Sequence, residues 1–115
     1  MSSGYVFGTE AIMAFLYTEP GHEAVATLLD EVFSSDADGF LTETNSGEVF
    51  YLVARFEGVD DVPTDASLRE ADRDIRALER QGLELEAADW RLAAEVKAGG
   101  SISIADAYAV ALAHE

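Results

Sequence analysis

The chain contains no cysteine, which excludes disulfides and thiolate-held metals. Histidine is nearly absent, with only His22 and His114. A histidine-rich metal centre is therefore excluded. Any ion held here would be bound by oxygen, which selects a hard cation such as Mg²⁺ or Mn²⁺. Lysine occurs once, at Lys97. No apolar run approaches the length needed to cross a bilayer. The segment Met1 to Gly4 lacks the basic stretch that opens a secretory leader, so the expected location is cytoplasmic. Neither a Gly-rich phosphate loop nor a Ser/His/Asp set is present.

What remains is compatible with one folded domain spanning 1–115. Hydrophobic residues make up 49% of the chain, too many for disorder despite the charge. That charge is one-sided: 23 Asp and Glu against 7 Lys and Arg, a net −16. Such a surface repels itself at low ionic strength. Acid-rich, lysine-poor surfaces resemble those of proteins from salt-loving (halophilic) organisms. The same charge argues against a generic nucleic-acid binder, which is normally basic. Any RNA contact must be local, through a few arginines or a metal.

Hydrophobic periodicity predicts alternating strands and helices. Tyr5–Phe7 reads as a short buried strand ending at Gly8, with Thr9 as the cap of a helix through Tyr17. After the Glu19-Pro20-Gly21 turn, a second helix covers His22–Phe33. Phe40–Leu41 is the next strand. A helix follows within Thr42–Gly58, capped by Thr44 or Asn45, with Val49, Leu52, Val53 and Phe56 at helical spacing. Val59–Ala66 is an acidic loop. Ser67–Gln81 is a charged helix, Leu83–Leu85 a strand, Ala87–Ala98 a helix, and Ile104–His114 the last helix. This alternation predicts a parallel, three-layer α/β/α sandwich. Such a sheet ordinarily continues with a strand after the last helix. None follows Glu115, so a C-terminal strand is expected to be missing and a sheet edge exposed.

In open α/β sheets, sites form beyond the carboxyl ends of the strands. Two acids fall there within apolar surroundings. Glu48 lies between Gly47 and Val49-Phe50-Tyr51, and Asp106 lies within the otherwise uncharged Ile102–Leu112. An acid in an apolar segment is expensive unless it is paired or metal-bound. The plain alternative for each is a carboxylate favoured by a helix N-terminus. Arg69, Arg73, Arg76 and Arg80 recur at three- or four-residue spacing among acids, and read as a salt-bridged solvent face or, less simply, an RNA-backbone contact. Trp90, Phe50 and Tyr51 read as core or dimer contacts. His22 and His114 read as a solvated helix start and a frayed end.

The segments around these acids carry a family resemblance. Val6-Phe7-Gly8-Thr9-Glu10-Ala11 resembles the opening of a PIN domain, Thr42-Glu43-Thr44-Asn45-Ser46-Gly47-Glu48 its second motif, and Ser103-Ile104-Ala105-Asp106-Ala107 its third. The three occur in family order and span most of the chain. The resemblance implies a Mg²⁺- or Mn²⁺-dependent endoribonuclease, often the VapC-type toxin of a toxin–antitoxin pair. Glu48 and Asp106 would be the catalytic metal ligands, with Thr9 and Asn45 supporting. Its implied partners are RNA, an antitoxin protein and a second copy in a homodimer. Gly8 stands where the pattern has its first aspartate, a lost ligand position that Glu10 or Glu43 would replace poorly. The loss fits either a deliberately silenced nuclease or a naturally degenerate member, and the rival reading is an inactive protein-interaction module.

The charge predicts a salt response. Raising NaCl from about 0.1 M to about 1 M shortens the screening length from about 10 Å to about 3 Å. The melting temperature should rise over that range, followed by circular dichroism. A flat or falling melting temperature would remove self-repulsion as a significant force in this chain.

Overall fold

The structure is a computed structural model describing residues 4–115. Met1–Ser3, part of the stretch read for a leader, lie outside the described residues. The elements run β1 (Gly4–Phe7), α1 (Thr9–Tyr17), α2 (His22–Phe33), β2 (Asp38–Thr42), α3 (Glu43–Phe56), α4 (Asp65–Gln81), β3 (Leu83–Glu86), α5 (Trp90–Ala98) and α6 (Ile104–Ala113). Three parallel strands stand in the order β1-β2-β3, flanked by helices in a three-layer α/β arrangement. The expected fold class is therefore observed. Among the described residues no further strand pairs with β1, which is an edge of the sheet as β3 is.

Register decides which side chains meet. Phe7 pairs with Leu41, and Leu41 with Leu85; Tyr5 pairs with Gly39, and Gly39 with Leu83. Alternation along each strand puts these on one face. That face meets Ile12 and Met13 of α1, Leu29 and Val32 of α2, Val49 and Val53 of α3, and Ala71, Ile75 and Leu78 of α4 in one core. Burying a side chain such as Leu41 or Leu29, both fully enclosed, contributes about 2–3 kcal/mol. On the opposite face Val6 and Phe40 share a groove with Leu112 and Ala113 of α6. Helices α5 and α6 pack together on Ala93, Ala107 and Ala111, where small side chains permit close approach.

Several boundaries differ from the sequence reading, each for a local reason. Gly8, not Thr9, occupies the cap position of α1, and no side chain caps it. Thr42, rather than Thr44 or Asn45, caps α3 by accepting from the Asn45 amide. Helix α4 starts two residues before Ser67. There Thr64 and Ser67 exchange side-chain and backbone hydrogen bonds in a capping box, so Ser67 closes the cap from within the helix. Helix α5 begins at Trp90 because Asp89 caps it. Trp90 is 69% exposed and Tyr51 45% exposed, so neither is a core residue, whereas Phe50 packs against the core.

The link from α3 to α4 is tight. Val59 and Val62 exchange backbone hydrogen bonds across Asp60 and Asp61, both at positive φ. The Val62 carbonyl folds back so closely that a Cβ on Gly58 would lie 2.0 Å from it; only glycine fits there. Thr18 is less well matched to its place. It ends α1 in the left-handed region at φ 54°, where a β-branched side chain is strained by roughly 1–2 kcal/mol. Thr18→Gly should stabilise the fold by about 0.5–1 kcal/mol after the extra unfolded-state entropy of glycine is subtracted. Chemical denaturation would check this, and a loss of stability would mean that Thr18 makes a contact worth more than its strain.

Candidate functional site

The site begins where β1 and β2 end. β2 passes directly into α3 at Thr42, and one buried hydrogen-bonded chain joins that junction to the start of α1. The Thr42 hydroxyl accepts from the Asn45 amide at 2.9 Å and donates to Asn45 Oδ1. Asn45 Nδ2 in turn donates to Thr9 Oγ1 at 2.9 Å. Ser46 Oγ donates to the Thr42 carbonyl at 2.8 Å. Asn45 and Thr42 are fully enclosed and Thr9 nearly so. Buried polar groups persist only when paired, and these are paired with one another across the two crossovers.

Three helix N-termini converge on this junction. Gly8 caps α1, Thr42 caps α3 and Ser103 caps α6, the last accepting from the Asp106 amide at 3.1 Å. The link between α1 and α6 is direct: a Cβ built on Gly8 would lie 4.0 Å from Asp106 Oδ1 and meet nothing closer. Helix N-termini carry partial positive charge and favour anions. The arrangement suits carboxylates, and equally suits a phosphate brought beside them.

The predicted site residues fall as follows. Thr9 and Asn45 are joined by a hydrogen bond. Gly8 and Asp106 face each other. Glu48 is half-buried on α3, one helical turn beyond Asn45, and makes no hydrogen bond or ion pair among the described residues. Asp106 is exposed. The expectation that it lies in costly apolar surroundings is corrected: it opens a helix at the surface, and only Ala105 and Ala107 beside it are buried. Glu10 and Glu43 are exposed in the first turns of α1 and α3.

As a metal cage the donor set falls short. Among the described residues no group of three or more His, Cys, Asp or Glu side chains lies close enough to hold an ion. The side chain nearest to a Cβ built on Gly8 is the Asp106 carboxylate. Sequence reasoning missed Thr42, the hub of the hydrogen-bonded chain. The signal was available: threonine is a preferred N-cap residue, and Thr42 stands between a strand and a helix.

A family model described as PIN domain matches residues 5–115. The match takes in both strand ends and all three helix starts of the site, and the chain belongs to the PIN-domain family. No match was found among curated proteins. Membership brings a nuclease-type fold associated with nucleic-acid binding and divalent metal dependence. Among the described residues no helix is long and apolar enough to cross a membrane.

The buried chain makes a stability prediction. Asn45→Ala strips partners from Thr9 and Thr42 inside the protein. It should cost about 2–3 kcal/mol in equilibrium unfolding. A cost under about 0.5 kcal/mol, the scale of a surface substitution, would show that these hydroxyls find other partners.

Proposed function

We propose that this chain is a PIN-type endoribonuclease scaffold of the Mg²⁺- or Mn²⁺-dependent kind, from the toxin side of a toxin–antitoxin pair, whose metal centre is incomplete at Gly8. Hydrolysis of RNA by the chain as it stands is then weak or absent. The observation that carries this reading is the geometry at position 8: glycine stands at the carboxyl end of β1, its missing side chain directed at the Asp106 carboxylate. Glu48 and Asp106 would be the remaining ligands, with Thr9 and Asn45 holding the strand ends in place.

The physical reason for the weakness is the number of charges. Carboxylates gathered at one point repel each other, and a divalent ion offsets that repulsion. The same ion supplies water activation and charge neutralisation at a phosphate. Two carboxylates hold such an ion far less firmly than three or four. The residues present still offer an anion three helix N-termini and a rigid floor of paired hydroxyls.

A second reading is favoured by the absence of a three-acid cluster among the described residues, together with exposed apolar side chains. Phe56, Val59 and Val62 are each more than 60% exposed. On this reading the chain is an inactive interaction module that binds an antitoxin or a second copy of itself.

Gly8→Asp separates the two. Space exists for the new side chain, because beyond Gly8 and its chain neighbours no heavy atom of the described residues lies nearer than 4.0 Å to the added Cβ, and φ −90° suits any residue. Under the nuclease reading the variant should bind Mn²⁺ at least tenfold more tightly in calorimetry, a gain of about 1.4 kcal/mol, and should cleave RNA. Glu48→Gln in that background should abolish both. Unchanged Mn²⁺ binding and no cleavage would leave the interaction module standing.

A further inference from the structure

The arginines of α4 are not one uniform salt-bridged face. Arg76 is committed: its Nε lies 3.4 Å from Asp72 Oδ1 and its Nη1 2.6 Å from Glu79 Oε1. Arg69 and Arg73, one helical turn apart, form no ion pair among the described residues, and both are exposed. Among the described residues Arg55, Arg80 and Lys97 form no ion pair either, so what distinguishes Arg69 and Arg73 is that they line one groove together.

Their position gives them a context. A shallow groove of about 540 Å³ between α3 and α4 is lined by Phe50, Leu68, Arg69, Asp72 and Arg73. A second, smaller depression shares Phe50 and Asp72 with it and reaches Ser46 and Gly47. Ser46 is hydrogen-bonded to Thr42 and follows Asn45 directly. The two depressions adjoin at Phe50 and Asp72 in one trough-like stretch of surface. It runs from Ser46 and Gly47 in the first turn of α3, beside Asn45, past the half-buried ring of Phe50 to Arg69 and Arg73. Its only carboxylate, Asp72, is held on Arg76.

We propose that this trough is the path of a single-stranded RNA leading to the strand-end site, with Arg69 and Arg73 on successive phosphates and the Phe50 face under a base. The proposal rests on the ribonuclease reading above, and adds to it the route of the substrate. The chemistry favours this occupant. Guanidiniums bind phosphate with paired hydrogen bonds, and an aromatic floor beside a cationic groove is how single strands are held without sequence preference. The rise of a helix sets Arg69 and Arg73 about 6 Å apart along its axis. A single strand also carries a lower charge density than a duplex, so the chain's net negative charge resists it less.

The test is fluorescence anisotropy with a labelled, mixed-sequence single-stranded oligoribonucleotide, at salt concentrations where circular dichroism shows each protein folded. The probe is titrated with the native chain, with R69Q/R73Q, and with R91Q, whose arginine lies on α5 and pairs with Glu95. R69Q/R73Q should bind about tenfold or more weakly, and its slope of log affinity against log salt should differ from the native slope by about 1.4, two phosphate contacts' worth. R91Q should match the native chain. Equal affinities for native and R69Q/R73Q protein, or no RNA binding by the native chain, would overturn the proposal. So would Arg69- and Arg73-dependent binding of polyglutamate that RNA does not displace, which would assign the trough to an acidic protein. Cleavage by Gly8→Asp is scored separately. Cleavage with no effect of R69Q/R73Q on affinity overturns the trough and keeps the nuclease; arginine-dependent binding without cleavage keeps the trough and removes the nuclease.

Discussion

The hydrogen-bonded chain Thr9–Asn45–Thr42 is the constraint on which the rest of the site depends. It lies at the one place where β1 and β2 both stop, and it is shut away from water. Each member is polar and buried, so each needs the others. Breaking one link leaves a buried donor or acceptor without a partner, which is why the junction has essentially one arrangement. The starts of α1 and α3 are fixed to each other by side chains, and α6 is brought against Gly8 at its own N-terminus. Three positive helix ends then meet beside the carboxyl ends of β1 and β2.

That architecture separates the buried floor of the strand-end site from the carboxylates around it. The hydroxyl and amide floor is intact. The helix ends are in position, and Asp106 Oδ1 lies 4.0 Å from where a Cβ on Gly8 would stand. Glycine at position 8 leaves that place without a side chain, and the backbone there is extended with open surroundings. The side-chain hydrogen bonds that hold the junction do not pass through position 8.

The net charge of −16 acts on a different scale. It is spread over the surface, is screened by salt, and leaves the enclosed network untouched. On α4 the acids and arginines are interleaved in sequence, yet the geometry pairs Arg76 twice and leaves Arg69 and Arg73 beside Phe50. A count of charges along the helix does not distinguish these cases. The distinction arises from which side chains the turn of the helix brings within reach of one another.

Much of this was legible in the residues themselves. The runs at Tyr5–Phe7, Phe40–Leu41 and Leu83–Leu85 are short, apolar or alternating, and bounded by turn residues, so the strands, their parallel order and the α/β class follow from local pattern. The family motifs around Gly8, Asn45–Glu48 and Asp106 were equally visible, because each is contiguous. Helix starts were less so. Asp89 and the Thr64–Ser67 box compete with neighbouring polar residues, and only the folded backbone shows which of them reaches an amide. The sequence by itself determined the elements, the charge and the glycine at the end of β1, since these are properties of single residues and their near neighbours. Only the tertiary structure decided that Thr42 is the hub, that Gly8 faces Asp106, and that Arg69 and Arg73 share a trough with Phe50. Those relations join residues from different elements, and their geometry is set by how the helices pack on the sheet.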